Sequence, residues 1–173
     1  MRLFIALELE ELKDYFKAIQ SKLVSDNAKI TLTKKYHLTL KFLGEIDEKN
    51  ADSIKSSLRS VKFTAFSTKL DKIGVFPNEN YIRVVWVGLK PDDKILELQQ
   101  KIDEALAPIF KKEKDFIAHI TLCRVKFVKD KKALMDLISK IKIEPKEITI
   151  KNFKLVKSTL TGEGPVYEDL EVF

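Results

Sequence analysis

The chain holds two histidines, His37 and His119, 82 residues apart. A shift of that length aligns much more than the histidines. The run Leu3-Phe4-Ile5-Ala6-Leu7 falls on Val85-Trp86-Val87-Gly88-Leu89, and both are short apolar runs of the kind buried strands carry. Each is followed by an amphipathic stretch at helical spacing. The first covers residues 10–23, with Leu12, Tyr15, Phe16, Ile19 and Leu23 on one face. The second covers 92–106, with Ile95, Leu98, Ile102 and Leu106, and Asp92 and Asp93 after Pro91 form a helix start. Histidine-bearing strands follow at 36–43 and 116–125, then helical segments near 47–60 and 129–141, then β-like sequence at 63–75 and 148–160. A repeat restricts the fold strongly, because each copy must build the same unit and the copies must bury their apolar faces together. The expectation is an α+β chain forming one compact bilobal unit over 1–173, with pseudo-repeats at roughly 1–76 and 81–160. Two lobes related by a pseudo-twofold axis would each carry a mainly antiparallel sheet with helices outside, around a central cleft. Residues 77–80, Pro-Asn-Glu-Asn, make a turn between the halves before a strand at 81–89, too short for a linker between independent domains.

Both histidines stand in the same local pattern, His37-Leu38-Thr39-Leu40 and His119-Ile120-Thr121-Leu122. Strand alternation puts His and Thr on one face and two aliphatics on the other, with same-face neighbours about 6.5–7 Å apart. The aliphatic face anchors in the core and the His/Thr face looks into the cleft. Histidine titrates near neutrality, so of two facing histidines one can take a proton while the other gives one, as cleavage of a phosphodiester requires. Threonine hydroxyls can donate to phosphoryl oxygens. Thr makes up nine of the 173 residues, so its recurrence two positions after both histidines is improbable by chance. Two structural histidines, or a metal site, are the alternatives. Neither tetrad has a Cys, Asp or Glu beside its histidine to complete a three- or four-ligand set, so no metal and no other cofactor is expected.

Composition bounds the setting. With 32 Lys and Arg against 26 Asp and Glu, the formal charge is +6, which suits a polyanionic partner and equally suits a solvated Lys-rich surface. The single cysteine, Cys123, excludes an intrachain disulfide and points to a reducing compartment. The opening MRLFIALELEE becomes acidic too soon for a signal peptide, and no apolar run reaches membrane-spanning length. A cytoplasmic monomer that avoids membranes is the resulting expectation. No G-x-x-x-x-G-K-[ST] occurs, which argues against NTP-driven chemistry.

In a chain of this size the two H-x-T-x tetrads resemble the two-histidine phosphodiesterase superfamily, and most closely its RNA 2′,3′-cyclic phosphodiesterase (2′-5′ RNA ligase) branch. The resemblance runs through residues 2–7, His37 to Glu45, Gly74-Val75-Phe76-Pro77, Val85-Trp86-Val87-Gly88, His119 to Leu122 with Arg124-Val125-Lys126, residues 157–161, and Gly164-Pro165-Val166-Tyr167-Glu168. It departs at Ala118, where relatives often carry proline, and in the first helix, which lacks a proline near Glu10-Glu11. The resemblance implies a bilobal α+β fold. It also implies hydrolysis of RNA 2′,3′-cyclic phosphate ends to 2′-phosphomonoesters, with His37 as proton donor, His119 as proton acceptor, and Thr39 and Thr121 beside them. The opposite polarity stays open. Joining of RNA halves, such as tRNA halves, through a 2′-5′ linkage without ATP is the alternative activity, and a non-catalytic RNA-binding module is a third.

Around the quartet, Lys41 shares the face of His37 and Thr39 if the strand is regular, where it would neutralise a phosphate or simply be solvated. Arg124 faces away unless a bulge intervenes, yet matches the family pattern as a phosphate contact. Arg83 and Lys157 are further substrate-binding candidates. Phe76 and Tyr81 flank the inter-half turn and could stack a base, although core packing suits Phe76 as well. Phe4 and Trp86 read as core, and residues 161–165 as a turn.

Overall fold

The computed structural model describes residues 1–162 and 164–173; Glu163, within the expected 161–165 turn, lies outside the described residues. Among the described residues nine strands run as β1 (Arg2–Glu8), β2 (Ala28–Leu32), β3 (His37–Glu45), β4 (Phe66–Asn78), β5 (Tyr81–Lys90), β6 (His119–Val128), β7 (Glu147–Ile150), β8 (Lys154–Thr161) and β9 (Gly164–Val172). Between them lie α1 (Lys13–Leu23), led in by a short 3-10 turn (Glu10–Leu12), α2 (Glu48–Arg59), α3 (Asp93–Leu106) and α4 (Lys131–Lys140). The strands form two antiparallel sheets, ordered β3-β1-β8-β9 and β2-β6-β5-β4-β7.

The segments β3-β1-β8 and β6-β5-β4 correspond strand by strand, but they cross the halves of the chain. β4, from the first half, pairs in the second sheet, and β8, from the second half, pairs in the first. Neither half therefore builds a lobe alone. The continuous β-like stretch read at 148–160 is in fact two strands, because the chain changes sheet between them. Phe153, fully buried, pins that crossing by stacking on Phe173 at 5.0 Å, with reciprocal backbone hydrogen bonds between the two residues. Strands β2 and β9 escape the sequence reading; each is an edge strand without a clean apolar alternation.

Alternation sorts each central strand. Leu3, Ile5 and Leu7 of β1, and Val85, Val87 and Leu89 of β5, are at most 2% exposed and join one core with Phe16 and Ile19 of α1 and Ile95, Leu98 and Ile102 of α3. Each such side chain contributes about 1.5–3 kcal/mol on burial. The opposite faces, with Phe4 and Ala6 on one sheet and Trp86 and Gly88 on the other, line the cleft. Helix starts follow ordinary capping at Asp47 and Asp130, whose carboxylates accept from the Asn50 and Ala133 amides at 2.7 and 2.9 Å. α3 begins where expected, but Asp92 accepts from Lys90 Nζ (2.8 Å) instead of capping the helix.

Candidate active site

His37 and His119 are the first residues of β3 and β6. Thr39 and Thr121 follow on the same half-buried face, while Leu38, Leu40, Ile120 and Leu122 are at most 1% exposed. The alternation then breaks at the same step in both strands. Against β1 the register passes from Ala6–Thr39 to Ile5–Lys41, and against β5 from Trp86–Thr121 to Val85–Cys123. Leu40 and Leu122 are the extra residues of two bulges, and the residues that follow directly change face.

This overturns the reading of Lys41. The bulge turns Lys41 into the interior, where it is 3% exposed and its Nζ donates to Asp103 Oδ1 at 2.6 Å and to the Lys111 carbonyl at 2.8 Å. It cannot meet a substrate phosphate from there. Asp103 also accepts from Gln99 Nε2 (2.9 Å) and the Glu113 amide (2.8 Å). Burial raises the Asp103 carboxyl, and these hydrogen bonds outweigh it, leaving its pKa below the ordinary value. The corresponding bulge has the opposite consequence at Arg124, which it brings to the His119/Thr121 face, exposed, with its charge felt by both histidines and by Tyr167.

Each imidazole is tied to the carbonyl two residues before it. His119 Nδ1 lies 2.7 Å from the Ile117 oxygen, and His37 bonds the Lys35 carbonyl. A carbonyl only accepts, so Nδ1 of His119 carries the proton and Nε2 is left for the cleft. Burial, helped by the charges of His119 and Arg124, pushes His37 down from 6.5 to about 4 against its hydrogen bond. His119 is lowered too, by burial first and then Arg124.

Aromatic rings support both imidazoles. Phe4 lies 5.1 Å and Tyr167 5.3 Å from His37, the latter edge-on at 88°. Phe76 meets His119 edge-on at 4.8 Å, with Trp86 at 6.0 Å. Phe4 and Trp86 are buried as expected, but under the His/Thr face instead of in the main core. Phe4 packs with Ala6, Val156 and Tyr167 in a separate small cluster. Trp86 lies flat over Gly74, where a Cβ would come within 2.3 Å of the indole, so only glycine fits beneath the ring. Tyr167 is the residue that sequence reasoning missed as part of the site. Its strand carries no clear periodic signal, and only its pairing with Ser158 in β8 brings it to the cleft. Burial raises its hydroxyl pKa, against the lowering effect of Arg124 and Arg2.

The remaining candidates scatter. Tyr81 is 59% exposed, with the Arg83 guanidinium 5.3 Å over its ring, at the outer end of β5. Lys157 is opposite Leu3, a core residue, and bonds Glu168 at 3.1 Å. It therefore sits on the face away from the quartet, and its reading as a substrate contact is corrected.

Gln20, buried on α1, ties the two histidine strands together. Its Nε2 donates to the Leu122 carbonyl at the β6 bulge (2.7 Å) and to the Thr33 carbonyl (2.9 Å), and its Oε1 accepts from Tyr36 (2.7 Å), the residue before His37.

A two-lobed α+β fold with a paired histidine–threonine cleft defines a class of phosphoesterases, and the family comparison agrees. The chain matches the LigT like phosphoesterase model twice, over residues 5–86 and 87–167, and belongs to that family. It is 40% identical to an RNA 2′,3′-cyclic phosphodiesterase of Methanocaldococcus jannaschii over 97% of both chains. It is 34% identical to the protein of that name from Archaeoglobus fulgidus over 100% of this chain and 99% of the relative. Among solved structures it resembles a protein of Thermus thermophilus (TM-score 0.82, 27% identity, 100% and 97% coverage). Its fold also matches E. coli LigT complexed with 3′-AMP (TM-score 0.73, 23% identity, 99% and 96% coverage). No helix among the described residues is long and apolar enough to cross a membrane.

Proposed function

We propose that the protein hydrolyses RNA 2′,3′-cyclic phosphate ends to 2′-phosphomonoesters by acid–base catalysis between His37 and His119. The observation that carries this reading is the pair of imidazoles, each backed by a carbonyl and standing beside a threonine on the cleft face. The names of the full-length relatives support the substrate class.

In this mechanism a water attacks phosphorus and gives its proton to Nε2 of His119. The P–O3′ bond breaks, and His37 delivers a proton to the departing 3′ oxygen. The phosphate stays on O2′. Thr39 and Thr121 donate to non-bridging oxygens, and Arg124 offsets their charge. Both histidines are neutral in the free protein at pH 7, so the donor is loaded only when the phosphate anion restores its proton affinity. The deeper depression at His37 favours the opposite polarity, with His37 as base. A substrate with sulfur in place of the 3′ oxygen separates the two, because a thiolate leaves without a proton. It should rescue His37→Ala and leave His119→Ala inactive; rescue of His119→Ala instead would reverse the roles. The primary assay is turnover of an oligonucleotide ending in 2′,3′-cyclic phosphate, with EDTA present. Full activity in either histidine variant would sink the paired mechanism, and loss of activity on EDTA addition would sink its metal independence. RNA with a free 5′-hydroxyl in the same assay tests for 2′-5′ joining, including joining of tRNA halves.

A further inference from the structure

Arg124 is not the last cation on its face. Val125 returns to the core, and the register against β2 then skips a residue, pairing Ile30 with Val125 but Lys29 with Phe127. Lys126 is the extra residue, and Phe127 comes back to the cleft side, 62% exposed. On β5 the register against β4 also skips, from Phe76–Val84 to Pro77–Ile82. Ile82 is buried, so Tyr81 projects from the cleft side, with Arg83 over its ring and bonded from Nη1 to the Lys126 carbonyl at 3.3 Å. A strip thus runs outward from His119 and Thr121, through Arg124, to two exposed aromatic rings set among Arg83, Lys126 and Lys29.

Charge distinguishes this face from its counterpart. The adjacent strands β2, β6 and β5 contain no Asp or Glu at all. Among the described residues none of Lys29, Arg83, Arg124 and Lys126 forms an ion pair. On the first sheet, Lys154 is already bound by both Glu8 and Asp169. Exposed rings interleaved with unpaired cations are what single-stranded RNA uses, bases stacking on the rings while phosphates meet the cations. We propose that the RNA body leaves the catalytic cleft over the β2-β6-β5 face, with Phe127 and Tyr81 as stacking platforms and Arg83, Lys126 and Lys29 on the phosphates. This rests on the proposed RNA-end activity and adds the direction in which the rest of the substrate lies.

The test pairs two measurements. Anisotropy of a 5′-labelled single-stranded 8-mer ending in 2′-phosphate reads binding without turnover. Hydrolysis of a nucleoside 2′,3′-cyclic phosphate reads the cleft alone. Lys29→Glu/Lys126→Glu should weaken 8-mer binding at least tenfold and flatten its salt dependence, and Phe127→Ala should weaken it about fivefold or more. Turnover of the cyclic mononucleotide should stay within twofold in each. The exposed pair Lys13→Glu/Lys17→Glu on α1, of equal charge change, should leave both within twofold. The proposal is overturned by unchanged 8-mer binding, by equal losses on both readouts, by an equal loss in the α1 control, or by a loss in Phe42→Ala that exceeds Phe127→Ala and routes the RNA over the first sheet. A wild-type protein that binds the 8-mer through this strip yet hydrolyses no cyclic phosphate would instead overturn the proposed activity alone.

Discussion

His37 and His119 share a strand position, a carbonyl partner and a bulge three residues on, yet what stands behind them differs. At the β3 bulge the inward residue is Lys41, held by Asp103 and the Lys111 carbonyl, with Asp103 held in turn by Gln99 and the Glu113 amide; at the β6 bulge it is Cys123, uncharged and fully buried. Support there comes from a neutral amide, Gln20, on the Leu122 carbonyl. What the bulges return to the cleft differs too: Phe42 on one side, Arg124 on the other. One backbone device, used twice, thus brings a cation to the cleft on one side only and leaves two inequivalent imidazoles. An acid and a base need such inequivalence, which a perfectly symmetric pair would lack.

The largest effect expected is on chemistry. His37→Ala and His119→Ala should each lower kcat by about 10²–10⁴-fold with folding retained, read by turnover and circular dichroism. If one variant keeps near-wild-type rate, the two sites are not partners. Next comes the contrast between supports. Lys41→Met leaves Asp103 buried without its cation and should cost about 3–5 kcal/mol, whereas Lys41→Met/Asp103→Leu should recover most of it. Gln20→Leu takes the partner from the Tyr36 hydroxyl and the Thr33 carbonyl, while the Leu122 carbonyl keeps the Thr33 amide, and should cost about 1–3 kcal/mol. Chemical denaturation ranks them, and a Gln20 loss equal to that of Lys41 would erase the distinction drawn between the lobes. Smaller again, Gly74→Ala pushes the Trp86 indole toward His119 and Phe76. It should raise neither lobe's stability and should lower kcat more than it raises KM; an unchanged kcat would mean the indole does not position His119.

The quartet is legible in the sequence because its pattern is local. Alternation within four residues needs no tertiary information, and the aliphatic partners in each tetrad are the core residues expected. Lys41 and Arg124 are not legible, because a bulge is decided by the neighbouring strand: the two residues lie two and three positions beyond their threonines, and one skipped residue exchanges their faces. Tyr167 is hidden for a related reason, since an edge strand of mixed polarity declares itself only through its pairing with β8. The helices and the central strands are readable to within a few residues, but the exchange of β4 and β8 between sheets is not, because strand order is set by long-range pairing that periodicity does not encode.

The finest prediction concerns protons. Both histidines are expected to titrate below 6.5 in the free protein, His37 at about 4, in an NMR titration of the ring protons. The unfolded chain binds protons near 6.5 that the folded chain refuses, so folding stability should be full above that pH and fall as pH drops from about 6.5 toward 4. Arg124 lowers both groups but is not the main cause in either, since burial comes first. Arg124→Leu should therefore raise both titration midpoints while leaving them under 6.5. Midpoints restored fully to 6.5 would make Arg124, not the closed floor of Phe4, Tyr167, Phe76 and Trp86, the source of the depression. A shift at His119 with none at His37 would show that the charge acts within its own lobe and does not cross the cleft.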